Sequence, residues 1–364
     1  MRSGIPAAAF HPLLEVWTCA WSRASMRAAV FHGERKPLSL EDLDVPTLGA
    51  GEALVRTAAC GVCATDLHYL HGIPTFKKPP IVLGHEISGI VAEVAPGVAP
   101  WTSGDRVLVP PVLSCGTCVR CSEGRDNICE RMRMVGNHVD GGFAEYLKVP
   151  AHMLVPLPAD LPLQESAIIS DAVSTPFHAV VNRGNVRPGE WAAIFGCGGV
   201  GLNAVQIAAA VGAAVIAVDV DPRKLDLAKR LGAVKTFNSK EHNVPKAIRE
   251  VTDGGADAAF EAVGKPAVQD QAFQSVRPGG RLVLVGYSSE NWNLNVGRVM
   301  FREIAVLGSL GCRAADFPRV IELVQQQRVR LGPVVSERVP LEKVNDALQA
   351  LEAGAAIGRQ LVVF

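Results

Sequence analysis

The pattern of apolar and polar positions changes character near the middle of the chain. From Met26 to about Val155, Gly and Pro separate short runs rich in apolar residues, for example Arg27–Phe31, Ala53–Ala58, Ile87–Val94, Arg106–Val109 and Ala144–Val149. Such runs with frequent turn residues are typical of short antiparallel strands. This half of the chain therefore predicts an antiparallel, barrel-like β domain.

The second half predicts alternating strands and helices. Apolar runs typical of buried strands are Trp191–Phe195, Ala214–Val218, Ala258–Ala262, Arg281–Val285 and Ile304–Leu307. Between them lie segments with helical periodicity, Leu202–Val211, Arg223–Leu231, Pro245–Val251 and Pro266–Val276. This alternation indicates βαβ units and a parallel sheet covered on both faces. The pattern also predicts a last helix and a short final strand, at Leu341–Ala353 and Gln360–Phe364.

Length and charge narrow the class of protein. A chain of 364 residues is too long for one ordinary core and suggests two domains. The formal net charge is zero and no long run of Lys or Arg occurs, which argues against nucleic acid or an anionic membrane as the main partner. No apolar stretch approaches the ~20 residues needed to span a bilayer, so no membrane partner is expected. The motifs described below indicate a small-molecule partner instead.

The first 25 residues stand apart from this pattern. They contain Arg2 and Arg23 but a single acidic residue, Glu15. A segment poor in acids is compatible with a targeting signal. The simpler interpretation is a loosely ordered extension, because the regular strand pattern begins only at Met26.

A glycine-rich turn predicts a dinucleotide site. Gly196-Cys197-Gly198-Gly199-Val200-Gly201 fits the pattern G-x-G-x-x-G, with a buried strand before it and an apolar helix after it. The first glycine permits the tight turn, the second lets the backbone approach a pyrophosphate, and the third lets the helix pack close to the strand. The helix N-terminus then offers free N–H groups to the phosphates.

An acidic residue after the next strand bears on the choice of cofactor. Asp219 follows eighteen residues after Gly201, where a carboxylate accepts hydrogen bonds from the ribose hydroxyls of NAD and repels the 2′-phosphate of NADP. Arg223 and Lys224 lie close by and keep NADP open as an alternative. Asp219 could also simply begin a turn, since Asp221 already supplies a helix cap.

Four cysteines in a short segment predict a metal site. Cys115, Cys118, Cys121 and Cys129 are spaced too tightly to pair freely as disulfides. They supply the four thiolates of a tetrahedral zinc site that has no open position, which indicates a structural metal. An iron–sulfur cluster is the alternative, because it also takes four thiolates. Free thiols in a chain of this size favour the reducing cytoplasm.

Two further segments complete a family pattern. Gly61-Val62-Cys63-Ala64-Thr65-Asp66-Leu67-His68 and Gly84-His85-Glu86-Ile87-Ser88-Gly89, together with the cysteine segment and the glycine-rich turn, resemble the zinc-containing medium-chain alcohol dehydrogenase family. The resemblance runs from Met26 to Phe364 with all elements in the expected order.

The resemblance implies an α/β protein with two domains. A GroES-like β-barrel catalytic domain would comprise residues 26–172 and 315–364. A doubly wound Rossmann domain that binds NAD would comprise residues 173–314. Family members are usually homodimers or homotetramers, and they oxidise alcohols reversibly to aldehydes or ketones by hydride transfer to the nicotinamide.

The resemblance also implies a second, catalytic zinc. Cys63 and His85 match two of its ligands, and Asp171 stands where the third ligand, often Cys, is found. Glu86 resembles the nearby carboxylate that can approach the metal, and Asp66 resembles the partner that orients His85. A carboxylate ligand is harder than a thiolate, so metal selectivity could be looser.

Three more residues match functional positions of the family. Thr65 would take the proton of the substrate hydroxyl and pass it through the cofactor ribose to His68. Arg359 resembles a contact to the pyrophosphate of the cofactor, although an ordinary surface arginine would look the same in the sequence.

Two other function classes remain open at this stage. A zinc-free quinone or enoyl reductase shares the same two domains, but those relatives lack the metal ligands found here. A non-catalytic protein on the same fold is the other alternative, and Asp171 is its one supporting feature. The sequence does not indicate which alcohol is the substrate. We expect the walls of the pocket near Ile73–Phe76, Pro111 and Asn291–Val296.

Overall fold

The N-terminal half of the protein is rich in short strands. The computed structural model describes residues 25–364, so the extension predicted for residues 1–25 lies outside the described part except for its last residue. Two short helices accompany the strands, α1 (Ala64–Leu70) and α2 (Val119–Ser122). The strands are β1 (Ser25–Phe31), β2 (Ser39–Asp44), β3 (Glu52–Gly61), β4 (Ile81–Val82), β5 (Glu86–Val94), β6 (Arg106–Val109), β7 (Val112–Leu113), β8 (Arg133–Met134), β9 (Tyr146–Pro150) and β10 (Val155–Pro156).

The central part alternates helices and strands, as the apolar pattern predicts. It opens with α3 (Ser174–Phe177), which continues as a π-helical turn, His178–Arg183. The strands are β11 (Trp191–Phe195), β12 (Ala214–Asp219), β13 (Ala233–Asn238), β14 (Ala256–Glu261), β15 (Val276–Leu284) and β16 (Ala305–Gly308). The helices between them are α4 (Gly199–Val211), α5 (Pro222–Arg230), α6 (Val244–Thr252), α7 (Pro266–Ser275) and α8 (Val296–Phe301).

The C-terminal elements return to the first sheet. They are α9 (Phe317–Gln325), β17 (Val335–Pro340), α10 (Val344–Glu352) and β18 (Arg359–Val363). Strand β18 pairs antiparallel with β3, and β17 pairs parallel with β18. One mostly antiparallel sheet therefore has the order β10-β6-β5-β3-β18-β17, with β9 also paired to β3.

The second large sheet is parallel throughout and has the order β13-β12-β11-β14-β15-β16. The chain adds β12 and β13 on one side of β11 and then crosses over to add β14, β15 and β16 on the other side. The strand order therefore changes direction at β11. In open parallel sheets, ligands bind beyond the carboxyl ends of the strands at such a point. The glycine-rich turn follows β11 directly, so the fold presents it where a dinucleotide would bind.

Several elements have no strong signal in the sequence. Strand β13 lies at the edge of the parallel sheet and only its first residue is buried, so it lacks the apolar run of a central strand. Strand β17 has the polar sequence VSERVP, with three consecutive exposed residues in its middle. None of the helices in the described residues combines the length and the apolar character that crossing a membrane requires.

Candidate active site

A cavity of about 410 Å³ lies between the two large sheets. Residues before and within α1 form one side of it, and loops after β14, β15 and β16 form the opposite side. Val200, at the beginning of α4, also lines the cavity. The cavity therefore joins the region of the glycine-rich turn to the segments that hold the predicted catalytic residues.

The three predicted catalytic metal ligands meet in this cavity. Cys63 precedes α1, His85 precedes β5, and Asp171 precedes α3. One ligand atom from each lies within 4.8 Å of the other two, and His85 Nε2 is 3.6 Å from Asp171 Oδ2. Cys63 and His85 are buried and Asp171 is nearly so. These separations suit three ligands around one zinc ion, whose bonds to nitrogen, oxygen and sulfur are about 2.0–2.3 Å long.

The electrostatic surroundings favour the ionised form of two ligands. Burial alone would raise the pKa of Asp171, but the neighbouring His85 and the charge of Arg359 lower it to about 2. Burial also raises the pKa of Cys63, but Arg359 and His85 outweigh that effect and bring it below its usual range. Burial lowers the pKa of His85, but hydrogen bonds to Asp171, Asp66 and Cys63 outweigh that effect and raise it, and a bound metal would take the place of the ring proton. A thiolate, an imidazole and a carboxylate are all ligand types that zinc accepts, so the donor set fits zinc.

Two further side chains hold these ligands in place. Thr175 Oγ1 donates a hydrogen bond of 2.6 Å to Asp171 Oδ1. The fully buried Asp66 accepts from the backbone N–H of Cys63 at 3.0 Å, and its Oδ1 lies 3.7 Å from His85 Nδ1. Asp66 therefore contacts Cys63 through its backbone N–H and His85 through its ring, as the sequence predicts for a residue that orients His85. The role of Thr175 was not predicted from the sequence.

A buried ion pair lies behind the ligands. Glu86 Oε2 is 2.9 Å from Arg359 Nε, and Glu86 Oε1 accepts from the backbone N–H of Ala172 at 2.6 Å. Burial, stronger than the attraction of Arg359, raises the pKa of Glu86 to about 7. An ideal Cβ on Gly61 would lie 1.7 Å from Glu86 Oε2, so only glycine at this position leaves room for the carboxylate.

Arg359 is not an ordinary surface residue. Its side chain is only 4% exposed, and Nη1 donates to the carbonyl of Val62 at 3.0 Å. An ideal Cβ on Gly199 would lie 2.8 Å from Arg359 Cζ, which places the guanidinium against the glycine-rich turn. Its buried Nη2 has no hydrogen-bond partner among the described residues.

The two residues of the predicted proton relay line the same cavity. Thr65 Oγ1 lies 3.7 Å from Cys63 Sγ. His68 follows one turn later in α1, half-buried, with its ring centroid 5.2 Å from that of Tyr287. Burial lowers the pKa of His68, which favours the neutral form of its ring at neutral pH.

The four clustered cysteines converge on a single point. Their sulfur separations are 3.5 Å for Cys118–Cys121, 3.8 Å for Cys118–Cys129 and 4.0 Å for Cys115–Cys121. Four sulfurs at 2.3 Å around one zinc would lie about 3.8 Å apart. Backbone N–H bonds lower the pKa of Cys115 to about 5, whereas burial and the neighbouring sulfurs raise that of Cys121 to about 11. The sulfur separations, rather than these pKa values, support a metal site. A multi-iron cluster, whose ligands bind different iron atoms, would hold the sulfurs further apart.

The glycine-rich turn has the geometry that a dinucleotide site requires. Gly196 has φ +93°, in the region that favours glycine. An ideal Cβ on Gly198 would meet nothing within 4 Å, so this side of the turn is open to a ligand. An ideal Cβ on Gly201 would lie 1.7 Å from the carbonyl oxygen of Gly196, and its absence lets α4 approach β11.

Asp219 ends β12 beside this turn. Its Oδ2 accepts from the backbone N–H of Cys197 at 2.6 Å, and Oδ1 accepts from Val220 at 2.7 Å. The carboxylate is therefore fixed against the glycine-rich turn rather than free to turn away. The alternative cap role belongs to Asp221, which accepts from the N–H of Arg223 at 2.9 Å. Lys224 lies half-buried in the first turn of α5.

Glu261, an acidic residue near the site, was not predicted from the sequence to have a role. Glu261 ends β14 fully buried, and its Oε1 accepts from the N–H groups of Val263 and Gly264 at 2.7 and 2.9 Å. These bonds hold the loop that contributes Ala262 and Val263 to the cavity. An acid at the carboxyl end of a predicted parallel strand was the available signal.

The predicted pocket walls are partly wrong. Ile73, Pro74, Phe76 and Pro111 line the cavity, but Asn291–Val296 does not. That segment precedes α8, and two of its side chains, Trp292 and Leu294, pack against the core on one face of the parallel sheet instead. The opposite wall comes from residues near Tyr287 and Leu310.

Comparison with known proteins points to the same class. Residues 49–159 match the alcohol dehydrogenase GroES-like domain, and residues 199–326 match the zinc-binding dehydrogenase family. An alcohol dehydrogenase from Geobacillus stearothermophilus is 40% identical over 337 residues, covering 92% of this chain and 98% of that protein.

Two solved structures share the whole fold. An alcohol dehydrogenase from Aeropyrum pernix is 36% identical with a TM-score of 0.86, covering 93% of this chain and all of that one. A zinc-binding dehydrogenase from Sinorhizobium meliloti 1021, bound to NADP, is 31% identical with a TM-score of 0.86, covering 94% of this chain and all of that one.

The fold and the site define an oxidoreductase that uses a nicotinamide cofactor and zinc and acts on alcohols. The chain belongs to the zinc-containing medium-chain alcohol dehydrogenase family, with a GroES-like domain and a Rossmann-type parallel sheet.

Proposed function

We propose that this protein is an alcohol dehydrogenase that depends on a catalytic zinc held by Cys63, His85 and Asp171 and that prefers NAD. The observation that carries the proposal is the convergence of these three ligands in a cavity that extends to the N-terminus of α4. Zinc, when bound there, acts as a Lewis acid that lowers the pKa of an alcohol hydroxyl.

The protein's own side chains then handle the proton. Thr65 Oγ1 lies beside Cys63 and is placed to accept the hydroxyl proton of the substrate. His68, neutral and half-buried in the same cavity, is the proposed end of the relay toward solvent. A nicotinamide bound at the glycine-rich turn would accept the hydride from the alcohol carbon, which would become the carbonyl carbon of an aldehyde or ketone.

Buried charge supports the cofactor side of the proposal. We assign the pyrophosphate to the turn Gly196–Gly201 and the first N–H groups of α4. Arg359 Nη2 is buried against Gly199 without a partner among the described residues, which suits a phosphate oxygen nearby. Asp219 is fixed next to the turn and favours a ribose with free hydroxyls over a 2′-phosphate.

The second zinc is proposed for the four cysteines. Their shell is closed, so we assign the ion a structural role, and each chain would carry two zinc ions. We further propose a homodimer or homotetramer, the domain boundaries given above, and a cytoplasmic location. Size-exclusion chromatography with light scattering tests the oligomeric state.

The proposal is tested by nicotinamide reduction with purified protein, a panel of alcohols, NAD or NADP, and a strong zinc chelator. We expect reduction of NAD that the chelator abolishes and zinc restores. Asp219→Ala should lower kcat/KM for NAD about tenfold while changing that for NADP little, since one hydrogen-bonded carboxylate is lost. Asp221→Ala is the matched control and should leave the ratio of the two cofactors unchanged. Activity that persists after removal of all metal would overturn the proposal.

A further inference from the structure

The cavity is mostly apolar away from the metal ligands. Ile73, Phe76, Pro111, Val112, Met134 and Leu310 form much of its wall. No Lys or Arg is among the described residues that line it. A substrate group that carries a negative charge would find no cation in this wall, so the cavity suits a neutral molecule.

A buried pair of polar side chains interrupts the apolar wall. Asn137 Nδ2 donates a hydrogen bond of 2.6 Å to Tyr69 Oη. Tyr69 is 5% exposed and Asn137 is 6% exposed, and both line the cavity. Neither residue is a metal ligand or a member of the proton relay proposed above.

The direction of this hydrogen bond is determined by the other contacts of Asn137. Its Oδ1 accepts from the backbone N–H of Phe76 at 2.8 Å, so the amide nitrogen must face Tyr69. The carbonyl of Asn137 accepts from the N–H of Lys77 at 3.0 Å and holds the segment in place. Tyr69 Oη is therefore an acceptor toward Asn137, and its own proton remains to be donated elsewhere.

No acceptor for that proton lies within hydrogen-bond distance among the described residues. A buried hydroxyl with an unused donor costs free energy unless a ligand or water accepts from it. Burial raises the pKa of Tyr69, so the group remains a donor throughout the neutral range. The orphaned proton in the wall of the cavity points to an acceptor on the substrate.

We propose that Tyr69 donates a hydrogen bond to a second, neutral oxygen of the substrate, held by Asn137 in the orientation that leaves its proton free. The substrate class is then an alcohol with an additional hydroxyl, ether or carbonyl oxygen, rather than a simple hydrocarbon alcohol or a hydroxy acid. This inference rests on the proposed dehydrogenase function of the same cavity.

Butane-2,3-diol and butan-2-ol provide a matched pair, because they share a carbon skeleton and differ by one oxygen. We expect the wild-type enzyme to have the higher kcat/KM for the diol. Tyr69→Phe should lower the value for the diol about tenfold and leave that for butan-2-ol nearly unchanged, since a net neutral hydrogen bond accounts for about this factor. The ring is kept, so its packing in the core is preserved.

Ser309→Ala tests a competing donor, because Ser309 also lines the cavity and its buried Oγ has no hydrogen-bond partner among the described residues. This variant should leave the ratio of diol to monoalcohol unchanged. An equal loss on both alcohols in Tyr69→Phe, no preference in the wild type, or a ratio that responds to Ser309→Ala instead would overturn the assignment of Tyr69.

Ligand-induced thermal stabilisation separates this inference from the proposed function. With NAD present, the diol should raise Tm more than butan-2-ol does, and Tyr69→Phe should remove the difference. If neither alcohol is oxidised yet the diol stabilises the wild type selectively, the dehydrogenase proposal fails and the oxygen subsite stands. If both alcohols are oxidised but stabilise the two proteins alike, the subsite fails alone.

Discussion

The two candidate metal sites are built in opposite ways. The four cysteines come from a single segment, Cys115–Cys129, and their sulfurs already lie near the separations of a tetrahedral shell. The three candidate catalytic ligands come from distant parts of the chain, Cys63, His85 and Asp171, which meet only in the folded protein.

The two sites also differ in burial and in the groups that surround their ligands. The cysteine segment has exposed neighbours such as Thr117 and Val119, and backbone N–H groups supply much of its electrostatic support. The catalytic ligands lie among buried charges, above all Glu86 and Arg359. A closed shell with local support suits a metal that stabilises a segment, whereas three ligands in a buried charged cavity leave a position for chemistry. Each prediction below tests one part of this contrast.

The largest expected effect is on catalysis. His85→Ala should reduce kcat about a thousandfold or more, because the Lewis acid that lowers the pKa of the alcohol would be lost. Metal analysis of the purified variant should show that the cysteine site keeps its zinc. A variant that retains more than a tenth of wild-type activity would show that this residue does not hold the catalytic metal.

A smaller effect, on stability, is expected at the cysteine site. Cys129→Ser removes a buried ligand and should lower Tm by roughly 5–10 °C, since binding of a structural metal contributes folding free energy. The folded variant should still bind metal at the catalytic site and turn over alcohol, as measured by scanning calorimetry and steady-state kinetics. Replacement of the nearby exposed Val119 by Ala, whose side chain is apolar and makes no hydrogen bond to the site, is the control and should leave Tm unchanged. Equal stability of Cys129→Ser and the wild type would contradict a structural metal there.

The smallest effect is expected at a residue that orients a ligand. Thr175→Val keeps the shape of the side chain but removes its hydrogen bond to Asp171, so the catalytic metal should exchange about tenfold faster with a chelator. Ser174→Ala is a matched control, because within residues 25–364 the neighbouring hydroxyl bonds to the carbonyl of Ser170 and not to Asp171. Loss of metal from the cysteine site in Thr175→Val would break the proposed independence of the two sites.

The polar contacts of Asn127 limit that independence. This residue lies within the cysteine segment, and its Nδ2 donates to the carbonyl of Leu310 at 2.8 Å. The same amide lies 3.3 Å from Nε2 of the buried His178. Leu310 lines the cavity, so the cysteine segment supports a wall of the site even though its ligands are remote.

Much of the architecture could be predicted from the residues alone. Strand β11 has the predicted bounds, and α7 ends one residue earlier than predicted, because Val276 begins β15. Central strands bury both faces and therefore carry continuous apolar runs, which make them recognisable. Strands β13 and β17 carry polar sequences with little burial, so their periodicity was too weak to detect.

The candidate metal site in the cysteine segment and the candidate dinucleotide site at the glycine-rich turn could be predicted from the sequence itself. In both cases the functional geometry arises within a short stretch, so the spacing of Cys115, Cys118, Cys121 and Cys129, or of Gly196, Gly198 and Gly201, carries the information. Resemblance to a family brought Cys63, His85 and Asp171 together before the structure did.

Only the tertiary structure decided the contacts between residues remote in sequence. It placed Arg359 against both Glu86 and Gly199, Thr175 on Asp171, and Asn137 on Tyr69. Thr175 and Asn137 are unremarkable polar residues in the sequence. Their roles depend on which hydrogen-bond donors and acceptors burial leaves unpaired, and packing between distant segments determines that, not the local sequence pattern.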